Sequence, residues 1–123
     1  FSYSGRTFYV VNGQDGIRDL ISETLNPDKY AVDTVEDGRV ALERIQLIEY
    51  DLLITDLMIP GANGLTMIRE AKRLKAGLPI IIITGFPSEK SAIEAANLGV
   101  SGYFTKPLDV SKVLPVVTGV LGV

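Results

Sequence analysis

Apolar residues recur along this chain in two alternating rhythms. Unbroken short runs are followed by stretches in which apolar positions return every three or four residues. Phe8, Tyr9, Val10 and Val11 form the first run, which stops at Asn12-Gly13. Ile17, Leu20, Ile21 and Leu25 then fall at helical spacing, and Asn26-Pro27 ends that helix. Residues 30–35 read as a second strand, less uniformly apolar and therefore expected at a sheet edge. Ala41, Leu42, Ile45 and Ile48 mark a second helix, and Leu52, Leu53 and Ile54 a third strand ending in Thr55-Asp56. Residues 58–64 are expected as a loop from their Pro and Gly content. A third helix follows through Leu65, Ile68, Ala71 and Leu74.

Pro79 opens a fourth strand with isoleucine at every position from 80 to 83. A run apolar on both faces belongs to a strand covered on both sides, as in a parallel sheet. Ala92, Ile93 and Ala96 predict a fourth helix, with Gly99 as its C′ residue. Residues 100–105 predict a fifth strand, and Val110, Val113, Leu114, Val117 and Leu121 a final helix. Strict β–α alternation at 123 residues predicts a single three-layer α/β sandwich, because parallel strands need helical crossovers. The leading segment 1–6 is expected to be disordered or trimmed, and the absence of an initial Met suggests a chain cut from a longer one. In open parallel sheets the ligand site lies at the carboxyl ends of the strands. The residues there are Asn12, Gly13, Asp56, Thr84, Gly85, Lys106 and Pro107.

Composition narrows the chemistry available at that edge. The chain has neither cysteine nor histidine, which excludes disulfides, thiolate and imidazole catalysis and ordinary zinc centres. A bound metal would be a hard cation held by oxygen. Net charge is −3, and the basic cluster Lys72, Arg73 and Lys75 reads as a solvated helix face rather than a nucleic-acid stripe. No apolar run approaches a membrane span and no signal peptide is visible, so a cytoplasmic protein is expected. Asp56, Thr84 and Lys106 bring a carboxylate, a hydroxyl and an ammonium to three strand ends. That set serves equally as a phosphoryl acceptor or as a plain ion pair tying strands together.

Three segments in order carry a resemblance. Residues 51–64 (DLLITDLMIPGANG), 80–85 (IIIITG) and 98–107 (LGVSGYFTKP) resemble the receiver domain of two-component response regulators. The likeness spans nearly the whole chain. It implies a flavodoxin-like (βα)5 sandwich with strand order 2-1-3-4-5. It also implies that Asp56 is the phosphoacceptor, Thr84 the hydroxyl that moves toward the phosphoryl, Tyr103 the switch aromatic and Lys106 the phosphate-contacting lysine. A cis bond before Pro107 is implied as well. The donor would be the phosphohistidine of a sensor histidine kinase or phosphotransfer protein, and the output a reshaped face of fourth helix, fifth strand and fifth helix. Such a module is not an enzyme.

One departure changes this picture. The family carries an acidic pair just after the first strand, and here those positions are Asn12 and Gly13. Mg2+ would then be left with Asp56, the backbone carbonyl of Met58 and the amide oxygen of Asn12, a set expected to hold it weakly. Asp15 is expected to cap the first helix rather than replace the pair. Lys106 is then expected to pair directly with Asp56. Two readings follow: a phosphorylatable receiver with impaired metal binding, or a pseudo-receiver that acts as an interaction or dimerisation module.

Overall fold

In the computed structural model, the described residues are 6–11, 30–35, 37–59, 62–107 and 109–121. Five strands, β1 (Arg6–Val11), β2 (Tyr30–Val35), β3 (Leu52–Thr55), β4 (Ile80–Thr84) and β5 (Gly102–Thr105), form one sheet in the order β2-β1-β3-β4-β5. Every pairing in it is parallel. This is the 2-1-3-4-5 order expected, with the mixed-polarity strand β2 at an edge. Among the described residues four helices accompany it: α1 (Gly38–Leu47), α2 (Gly64–Leu74), α3 (Glu89–Asn97) and α4 (Val110–Leu121). α3 and α4 are the fourth and fifth helices read from the sequence. The helix expected across 17–25, together with Asn12, Gly13 and Asp15, lies outside the described residues.

The central strands explain the layering. Residues of β3 and β4 are buried throughout, which requires cover on both faces of the sheet. Leu53, Ile80 and Ile82 join one core with Ala41 and Ile45 of α1, Met67, Ile68 and Ala71 of α2, and Ala95 of α3. Leu52, Ile54, Ile81 and Ile83 alternate onto the opposite face and are equally buried. Val113 and Val117 are the buried stripe of α4, and Pro115 within that helix stands on its exposed side.

Helix ends follow local chemistry. The Asp37 carboxylate accepts from Arg39 N at 2.7 Å, and the Asn63 side chain accepts from both Leu65 N and Thr66 N. α3 ends through Leu98 into Gly99 at φ +75°, the C′ position expected of this glycine. Four boundaries differ from the sequence reading. β1 begins at Arg6, inside the segment expected to be a loose terminus, with residues 1–5 outside the described set. Helix α1 stops at Leu47, because Ile48 turns extended and half-leaves the core. β5 starts at Gly102 rather than 100, with Ser101 N held by Ile80 O at 2.7 Å. The expected loop at 58–64 contains a short antiparallel pair, Met58–Ile59 with Ala62–Asn63, two residues too short to show periodicity.

Gly64 closes that segment against the chain leaving β3. A Cβ on Gly64 would sit 2.5 Å from both the Cα and the carbonyl oxygen of Leu57. Gly64→Ala must therefore displace backbone, and it is expected to cost about 1–3 kcal/mol in urea melts. Gly77→Ala, which meets nothing within 4 Å, should stay near parental stability. A second expectation concerns acid. The Asp37 carboxyl is held below its ordinary value first by the backbone N–H of Arg39, and that of Asp109 first by the Ser111 hydroxyl. Both favour the ionised folded state, so their contribution is complete above the ordinary value of 3.8 and is lost as pH falls through the lowered one. An Asp37→Asn/Asp109→Asn variant should show a shallower loss of stability over that acid range.

Candidate phosphoacceptor site

The carboxyl edge of the sheet gathers most of the buried polar side chains among the described residues. Thr55, Asp56 and Thr84 sit there at 4 % exposure or less. Each is positioned by an apolar strand whose burial leaves it no freedom to tilt. Asp56 directly follows β3, and the Thr55 hydroxyl donates to its carbonyl at 2.9 Å. Thr84 is the last residue of β4, in register with Thr105 at the end of β5. Its hydroxyl oxygen accepts from Phe86 N at 3.0 Å.

Lys106 follows β5 and bridges the two. Its backbone N donates to Thr84 O at 2.8 Å, and its ammonium donates to Asp56 Oδ2 at 2.6 Å. The carboxylate is 5 % exposed and the lysine side chain 24 %, so the pair is only partly open to water. The Lys106–Pro107 bond is cis. Thus Asp56, Thr84 and Lys106, distant in sequence, converge on one edge. Tyr103 is the second residue of β5, two before the strand end at Thr105. Its ring is half-buried against the core, and its hydroxyl lies 2.7 Å from Ser91 Oγ of α3. Met58 stands two residues past Asp56 in the short antiparallel pair. Asn12 lies outside the described residues.

The comparisons with known proteins now decide the family. The model of the response regulator receiver domain matches residues 8–118. The chain belongs to the response regulator receiver domain family. Response regulator ArlR of Staphylococcus epidermidis is 33 % identical over 112 residues, 91 % of this chain and 51 % of that protein. The receiver thus spans about half the length of the curated relatives it matches. A CheY-like receiver domain protein from Methanospirillum hungatei shares the fold at TM-score 0.86 and 23 % identity, covering 97 % of this chain and 95 % of that one. TrrA of Thermotoga maritima, solved in complex with Mg2+-BeF, matches at TM-score 0.78 and 28 % identity, covering 94 % and 98 %. Receiver domains are signalling modules rather than enzymes, phosphorylated on aspartate, and they generally bind Mg2+. Among the described residues no helix is long and apolar enough to cross a membrane.

Sequence reasoning did not find the hydroxyl network at the start of α3. Ser88 caps this helix and exchanges bonds with Ser91, but the usual signature ends in Glu or Gln three residues on, and here that position is Ser. The bond from Phe86 N to Thr84 was equally invisible, since it depends on the turn after β4.

Removing the ammonium leaves a buried carboxylate short of a strong donor. Lys106→Met is expected to lower stability by about 1–3 kcal/mol at neutral pH. In a double-mutant cycle with Asp56→Asn, the combined loss should be smaller than the sum, which urea melts of the four proteins will show.

Proposed function

We propose that this receiver accepts a phosphoryl group on Asp56 from the phosphohistidine of a sensor histidine kinase or phosphotransfer protein, with a weakened hold on Mg2+. The observation that carries the reading is the buried Asp56 carboxylate at 2.6 Å from the Lys106 ammonium, beside the strand end that presents Thr84. A carboxylate oxygen of Asp56 attacks phosphorus, the bond from phosphorus to the donor imidazole breaks, and that imidazole leaves with its electron pair. The phosphorylated side chain then carries about −1.5 to −2 in place of the carboxylate's single negative charge, by analogy with phosphorylated hydroxyls. Lys106 then has oxygens to follow, and the Thr84 hydroxyl, whose oxygen accepts from Phe86 N, gains a phosphoryl acceptor for its own proton. Tyr103 turns in response, and the surface of α3, β5 and α4 is the output. We place the chain in the cytoplasm, with no nucleic-acid contact by this domain and with homodimerisation as one use of the output face.

The metal-ligating residues fit a hard divalent cation poorly. Among the described residues no three acidic, His or Cys side chains converge, and Asp56 Oδ2 already accepts from an ammonium. After β1, where carboxylates would complete the set, the sequence has Asn12 and Gly13. The same substitution favours a second reading, a pseudo-receiver in which Lys106 holds Asp56 permanently and the fold serves as an interaction module.

Mass spectrometry after incubation with Mg2+ and a small acyl-phosphate donor separates the two. The expected result is a phosphoryl mass gain in the parent that Asp56→Ala abolishes, and faster uptake in Asn12→Asp/Gly13→Asp. No gain in the parent alongside gain in that double variant would establish the pseudo-receiver instead.

A further inference from the structure

We propose that Ser91 is a positioning residue that fixes the ring of Tyr103 and ties it to the first turn of α3. Ser91 is the third residue of the helix and 8 % exposed, one of the buried polar residues among those described. Its Oγ lies 2.7 Å from Tyr103 OH, 3.1 Å from Ser88 O, 2.9 Å from Ser88 Oγ and 3.3 Å from Ser88 N. A serine hydroxyl has one proton and two lone pairs, so it cannot donate to Ser88 O and to Tyr103 together. The assignment that serves both gives the Ser91 proton to Ser88 O and has the Tyr103 hydroxyl donate to Ser91 Oγ, leaving one lone pair to be shared by the Ser88 hydroxyl and the longer Ser88 N–H contact. A contact of 2.7 Å is at the favoured length for O–H···O, and it is part-buried, with Ser91 itself buried. Rotating the ring away from Ser91 therefore breaks this bond.

The same turn is tied to the other end of the site. Phe86 N–H is held by the Thr84 hydroxyl oxygen, and only Pro87 separates Phe86 from the cap residue Ser88. If the Thr84 hydroxyl leaves Phe86, the 85–88 segment loses an anchor, and Ser88 and Ser91 transmit the shift to the ring. In assigning Tyr103 a switching role this inference rests on the reading of Asp56 as phosphoacceptor; the Ser91–Tyr103 contact does not.

Fluorine NMR of the full chain carrying 3-fluorotyrosine reads the ring directly, with the Tyr103 signal assigned by its loss in Tyr103→Phe. Ser91→Ala is expected to shift or split the Tyr103 signal, raising the population of a second ring position about threefold to tenfold. Ser88→Ala removes the cap hydroxyl but not the bond to the ring, and should lower stability with the Tyr103 signal in place. In urea melts Ser91→Ala and Tyr103→Phe should be non-additive, since they delete one bond. An unmoved Tyr103 signal in Ser91→Ala, an equal movement in Ser88→Ala, or additive losses would each overturn the proposal. Phosphoryl uptake is measured separately, so a chain that takes no phosphoryl yet shows the Ser91-dependent signal fails the receiver reading and not this one.

Discussion

The burial of β3 and β4 on both faces is the constraint from which the rest of the molecule follows. Leu52 to Ile54 and Ile80 to Ile83 expose 1 % of their surface or less, and the polar residue of each strand, Thr55 or Thr84, stands at its end. Polar side chains are displaced to the strand ends, and helices must cover both sides. That places Asp56 and Thr84 at the carboxyl ends of two adjacent parallel strands. β5 then delivers Lys106 to the same edge, through a parallel pairing whose last register is Thr84 with Thr105. The site is thus a consequence of sheet packing, and its precision comes from isoleucines that never touch a ligand.

At that edge a buried carboxylate meets an ammonium at 2.6 Å, and the sequence has Asn12 and Gly13 just after β1. In a water-poor setting, an ion pair of this kind gains Coulombic energy and loses solvation in comparable amounts. It is therefore a poor source of stability. Its consequence is positional: the Lys106 ammonium already sits on the Asp56 carboxylate. On the proposed reading, a phosphoryl group on Asp56 redirects that lysine rather than recruiting it.

The features legible in the sequence were those set by runs and termini. Four consecutive isoleucines gave a doubly covered strand, and the residues that end the apolar runs, Asp56, Thr84 and Lys106, gave the site. Strand order and the cis Lys106–Pro107 bond came from the likeness of whole segments, and the structure has both. Features set by a few atoms were not legible. The Met58–Ile59 pairing spans too few residues to carry a period, and Ile48 fits a helical spacing although the chain has already turned extended there. The Ser91–Tyr103 bond joins residues twelve apart through a helix end and a strand. Only the packing of α3 on the sheet brings them together.

On the proposed reading Lys106 balances Asp56 where an acidic pair would hold Mg2+, and calorimetric titration with Mg2+ measures the difference. Asn12→Asp/Gly13→Asp should lower the dissociation constant by on the order of tenfold or more, about 1.4 kcal/mol for each factor of ten. A parent chain that binds Mg2+ as tightly as that variant would contradict that reading.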